Sequence, residues 1–137
     1  PGATGPGGTN AAFYGGTNTS SPVTAATIIP IAQIAATAGT TMSVSANAVN
    51  LPEAGTYLVS YFVNGSVPSG DLSTSLYLDG SQVTGETIVQ TNTAGSSSAA
   101  GKTVLITTDG AGTLSLYNTS GETATLSSAT LTVLKTA

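Results

Sequence analysis

The chain has 137 residues, of which 39% are hydrophobic, 6% charged and 5% aromatic, and its formal net charge is -4. Arg, His, Cys and Trp are absent, which removes the Ser-His-Asp triad, the cysteine nucleophile, thiolate and imidazole zinc sites, and disulfides. Two lysines cannot neutralise a phosphate backbone, so nucleic acid is excluded as a partner. Ser and Thr make up roughly 31% of the chain and must hydrate a surface that charged residues, about 25% of an ordinary domain, usually serve.

The first residues, PGATGPGG, place Gly2, Gly5 and Gly8 at a period of three and frame two triplets, with Pro6 in an X position. A collagen triple helix needs Gly at that spacing, because no other residue fits near its axis. Residues 1–10 are therefore read either as the end of a collagen-like region or as a Gly/Pro-rich linker. The collagen reading requires three chains to enter together. The segment has neither a charged n-region nor an apolar h-region, so it is not a secretory signal, and the chain reads as a piece of something longer. The stretch AATIIPIAQIAA (25–36) is too short to cross a bilayer and contains Pro30, so no membrane insertion is expected.

From residue 11 to 137 apolar residues alternate with hydroxyls, and turn formers interrupt them every eight to twelve residues. AAFYGG (11–16), 23–35 and 41–51 give weak strand signals, and IAQIAATA (31–38) fits either a helical turn or an Ala-rich strand. GTYLVSYFVNG (55–65) is the clearest strand. Tyr57, Val59, Tyr61 and Val63 share one face; Leu58, Ser60 and Phe62 share the other, as for a strand buried on both sides. STSLYLDGSQV (73–83) contains Asp79-Gly80, a hairpin turn. GETIVQTN (85–92), a Gly/Ser/Ala loop at 94–101, and KTVLITT (102–108) follow. A turn at 109–112 leads to TLSLYN (113–118), and ETATLSS (122–128) and ATLTVLKT (129–136) close the chain.

Eight or more short strands predict an all-β sandwich or jelly roll. Seven aromatics and many small residues make a thin core, so a symmetric oligomer that buries an apolar sheet face is favoured. Tyr57, Tyr61 and Tyr117 are candidates for that seam, as large rings with a hydroxyl to satisfy; the alternative is that they are ordinary core aromatics.

No catalytic, cofactor-binding or metal constellation emerges. Asp71, Asp79 and Asp109 are isolated in sequence, which fits solvated turns rather than calcium ligands. Glu53, Glu86 and Glu122 supply carboxylates but no general-acid environment for a glycosidase. An isopeptide cross-link would need Lys102 or Lys135 against an Asn with a nearby acid, and so few apolar aromatic surroundings speak against it. Asn18-Thr19-Ser20, Asn64-Gly65-Ser66 and Asn118-Thr119-Ser120 match the N-glycosylation pattern and are read as turn-rich loops.

Taken together, the Gly triplets, the run Pro52-x-x-Gly55-x-Tyr57-x-x-x-Tyr61, the Leu78-Asp79-Gly80 hairpin and the ending Thr-Val-Leu-Lys-Thr-Ala (132–137) carry a resemblance. The chain resembles the C-terminal domain of BclA-type collagen-like glycoproteins of bacterial spore surfaces. The resemblance covers nearly the whole chain and implies a trimeric jelly roll like that of tumour necrosis factor and the complement globular heads. It further implies a non-enzymatic domain that trimerises and caps a collagen-like stalk at the exosporium, an extracellular surface, with O-linked sugar on Thr of the stalk, here Thr4. The alternative is a binding module, an adhesin or phage-fibre tip whose distal loops meet a glycan or host protein. A carbohydrate site normally needs an aromatic platform, and Trp is missing.

Overall fold

Residues 12–17, 21–36, 42–90 and 97–136 are described in a computed structural model. Their alternating pattern becomes eleven strands: β1 (Ala12–Thr17), β2 (Ser21–Val23), β3 (Ala32–Ala36), β4 (Ser43–Ser45), β5 (Ala48–Leu51), β6 (Gly55–Ser66), β7 (Leu72–Leu78), β8 (Ser81–Gln90), β9 (Ser98–Thr108), β10 (Gly112–Asn118) and β11 (Ala124–Lys135). One sheet runs β3-β1-β11-β6-β9, with β2 also on β11; the other runs β4-β5-β10-β7-β8. All pairings are antiparallel. From β5 onward the chain passes repeatedly between the sheets, so sequence neighbours seldom share one. That is the connectivity of a jelly roll.

The core lies between the sheets. Tyr57, Val59, Tyr61 and Val63 of β6 are at most 1% exposed, and they meet Leu76 of β7 and Leu114 and Leu116 of β10, each 0% exposed, within one hydrophobic cluster. β6 is buried on this face alone in the protomer, since Phe62 on the other remains 43% exposed. The expectation of a strand covered on both sides therefore fails for the single chain.

Local chemistry explains the turns. Asp79 and Gly80 adopt φ of 54° and 80°, as a two-residue hairpin loop between β7 and β8 requires. Ala46 and Asn47, at 52° and 64°, form the equivalent loop between β4 and β5. Residues 32–36 form a strand, not a helical turn, because β1 offers them a ladder.

Three boundaries differ from the sequence reading. The two closing segments are one strand, β11, with a register shift between Leu126 and Ser128 opposite Gly65 and Asn64. Ser127 is the extra residue, and its hydroxyl donates to the Asn64 carbonyl at 3.1 Å. A bulge, rather than a turn, absorbs the polar pair. The segments 73–83 and 85–92 contribute to one hairpin, with β8 running through Gly85. Finally, β9 begins at Ser98, inside the expected loop, because Gly101 pairs with Phe62.

Candidate functional site

Strand periodicity builds a second surface on the back of the core. With Tyr57 to Val63 inward, Leu58, Ser60 and Phe62 point outward, and the ladder carries that parity across the sheet. Leu58 lies between Leu105 of β9 and Leu134 of β11, and Leu134 faces Ala12 of β1. The adjoining row is Thr103, Ser60, Thr132 and Tyr14; the next is Gly101, Phe62, Thr130 and Gly16. An apolar row on one side, and on the other a row whose one large side chain is Phe62, thus flank a hydroxyl-bearing row, in which Thr103 Oγ1 donates to Ser60 Oγ at 3.1 Å. A Cβ on residue 101 would stand 2.9 Å from Phe62 Cδ2, so glycine here lets the aromatic ring lie across the neighbouring strand.

No charged side chain belongs to this face of β1, β11, β6 and β9. Lys102 and Lys135 share the inward parity of Tyr61 and Tyr57. Tyr14, Ile34, Phe62 and Leu105 on this sheet are 39%, 53%, 43% and 65% exposed; Val89, at 57%, is the further large hydrophobic exposed among the described residues and lies on the second sheet. A concentration of exposed apolar side chains without charge marks an interaction surface, since covering it removes apolar area from water and strips no ion of its hydration.

None of the three tyrosines proposed for a seam lies on this face. Tyr57 and Tyr61 are 0% and 1% exposed inside their own protomer. Alternation grouped them on one face correctly, but which face meets the core is decided by where the second sheet packs. Their outward strand neighbours, Leu58 and Phe62, occupy the apolar rows instead. Tyr117 is on the second sheet, half-buried against Tyr77 with ring centroids 4.0 Å apart.

Tyr57 has a distinct role. Its hydroxyl donates to the Glu53 carbonyl at 2.6 Å, and burial pushes the phenol above its ordinary value, reinforced by the Glu53 charge. Glu53 also places Oε1 3.8 Å from Lys135 Nζ.

The far end of the sandwich is held by polar contacts. Asn118 is 2% exposed; its Nδ2 donates to the carbonyls of Val23 at 2.8 Å and Glu122 at 3.0 Å, and its Oδ1 accepts from Ser120 N at 2.9 Å. This sequon asparagine is a buried brace between segments, with no free amide for a glycan. Glu122 accepts from Ser69 N at 2.6 Å and from Ser69 Oγ at 3.1 Å, joining two loops. Asn64 lies within β6, while Asn18, Thr4 and the Gly2, Gly5 and Gly8 triplets lie outside the described residues. The side chain of Glu86 also lies outside them.

At the opposite end an open depression of about 570 Å³ includes Asn50, Asp79 and Thr113 in its lining. Its one carboxylate, Asp79, accepts from Thr113 N at 2.9 Å, which braces the hairpin turn. Among the described residues no group of three or more acidic side chains is placed to hold a metal ion. Asp71, Asp79 and Asp109 each sit in a connection between strands.

No family model matches the chain, and no curated protein matches it in sequence. Solved structures match it in fold. The globular domain of zebrafish complement 1qA protein shares 13% identity over 89% of this chain and 94% of its own, with a TM-score of 0.72. Eiger TNF from S. frugiperda shares 15% over 93% of this chain and 91% of its own, with a TM-score of 0.73. The PRD1 vertex protein P5 shares 16% over 96% of this chain and 100% of its own, with a TM-score of 0.66. The chain has the all-β jelly-roll fold of the tumour necrosis factor and complement C1q type.

Proposed function

We propose that this chain is a non-catalytic trimerisation and display domain, in which three copies close a ring through the outer face of the first sheet. The carrying observation is that this face has no charged side chain while exposing Tyr14, Phe62 and Leu105. The geometry suits a ring of like copies. β9 is an edge strand bearing Leu105, and Tyr14 lies toward the other side of the same sheet. One copy's β9 edge against the next copy's Tyr14–Phe62 region is a head-to-tail contact, which closes when the rotation between copies is one third of a turn.

Chain direction supports the stalk. Ala12 pairs with Leu134, so the entry of β1 and the end of β11 lie together. Leu134 pairs in turn with Leu58 of β6, and the rest of that strand carries the 67–71 loop about 30 Å away. Three such entries at one end of a ring would align three Gly-X-Y segments and remove the entropic barrier to winding them. The collagen-like stalk and the exosporium surface rest on the resemblance of residues 1–10 and of the strand motifs. The jelly-roll fold supports the trimer.

Native mass spectrometry at micromolar concentration tests this reading: a trimer is expected, and a monomer overturns it. Leu105→Asp and Phe62→Asp should each yield a folded monomer with an unchanged β spectrum. Retention of the trimer in both would move the seam elsewhere. A second reading uses the same assembly as a binding tip, because the Glu122–Ser69 clamp holds the distal loops in a fixed shape. A competable hit on a glycan array would favour it.

A further inference from the structure

We infer that Tyr77 and Tyr117 form an oxidative cross-linking site, a pre-arranged pair whose rings couple to dityrosine and staple β7 to β10. The two residues alternate with Leu76 and Leu116, both 0% exposed in the core, so they share the outer face of the second sheet. The ladder sets Tyr77 opposite Ser115 and Tyr117 opposite Ser75, a diagonal arrangement in which long side chains meet. Their ring centroids are 4.0 Å apart and their planes 27° apart. Nearly parallel rings at this separation place ring carbons of one over ring carbons of the other at about van der Waals distance. Both rings are half-buried, so an oxidant reaches them from solvent while the strands hold them together.

The chemistry balances. Each phenol loses one electron and its hydroxyl proton, giving a phenoxyl radical with spin density on the ring carbons beside the oxygen. Two such radicals combine in a carbon–carbon bond, and the hydrogens on the joined carbons move to the oxygens. The pair surrenders two electrons and two protons, and one hydrogen peroxide, acting through a haem peroxidase, takes up both and becomes two waters. Proximity removes the diffusional encounter that makes this coupling slow between free phenols.

The remaining three tyrosines do not compete. Tyr57 and Tyr61 are 0% and 1% exposed, and Tyr14 lies on the other sheet. The chain holds no Cys, so no disulfide can supply a comparable covalent tie. The site is on the sheet that the proposed ring leaves open to solvent, and the inference stands whether or not the chain trimerises.

The absence of Arg makes the test direct. The protein is treated with hydrogen peroxide and a peroxidase, then unfolded and cut with trypsin after Lys102, which separates Tyr77 from Tyr117. Fragments 1–102 and 103–135 are expected to remain joined, with the intact mass lower by two hydrogens and the blue fluorescence of the coupled phenols. Tyr77→Phe and Tyr117→Phe should each abolish the joined species, while Tyr14→Phe should leave it. Separation of the fragments at full oxidant exposure, joined fragments that persist in Tyr77→Phe, or coupling only between chains on a denaturing gel would each overturn the assignment.

Discussion

Asn118 shows how much one side chain can carry in a protein with few charges. It joins the 23–27 segment, the end of β10 and the 119–122 loop through its amide, while its backbone N donates to Thr27 O at 3.0 Å and its carbonyl accepts from Ala26 N at 2.8 Å. Asn118→Ala should leave the Val23 and Glu122 carbonyls unpaired and cost about 2–3 kcal/mol, read from urea unfolding. Tyr57 makes a second residue-scale prediction. Its phenol is raised in the folded state, so the native form holds its proton more tightly than the unfolded chain does. That contribution is complete below the ordinary tyrosine value of about 10 and is lost as pH rises through the raised folded value. Urea midpoints measured from neutral into strongly alkaline buffer should fall above about pH 10, and Tyr57→Phe should flatten that fall. The pairing of Tyr57 with Tyr61 on one face was legible from period two, as was the Asp79-Gly80 turn. The inward direction of that face was not, because a strand with apolar residues on both sides gives no local sign of which side the second sheet will cover.

At the scale of elements, the turns and bulges show where local propensity and tertiary demand meet. Asp79-Gly80 has turn chemistry that a reader of the chain can see, whereas Ala46-Asn47 adopts the same positive φ values with a residue that resists them. The double substitution Ala46→Asn with Asn47→Gly should therefore stabilise the fold by about 1 kcal/mol, seen as a higher thermal midpoint. The Glu122–Ser69 clamp predicts a local effect instead. Glu122→Gln should loosen the 67–71 and 119–123 loops, raising their amide exchange while leaving protection in β6 and β11 unchanged. The Ser127-Ser128 pair and Gly101 misread as breaks for one common reason. A hydroxyl that can satisfy a freed carbonyl, or a glycine beneath an aromatic ring, looks like punctuation until its partner strand is known.

For the whole molecule, a 13.3 kDa chain with few aromatics gains most by covering one more apolar face. Leu105→Asp should destabilise the assembly by about 1–3 kcal/mol per contact, observed as concentration-dependent dissociation in sedimentation, with the protomer's own unfolding little changed. The all-β class and the two faces of β6 follow from the sequence alone, because alternation and turn formers are local properties, and the thin core favours an oligomer on additive grounds. The exclusion of cysteine and histidine chemistry follows likewise, as a matter of inventory. Which strands pair, which face of β6 is interior, and that Phe62 and Leu105 rather than Tyr57 and Tyr61 line the open surface were decided only by the tertiary structure. The stacking of Tyr77 on Tyr117 belongs with them, since residues 77 and 117 meet through a ladder between strands distant in the chain, and no local pattern encodes that meeting.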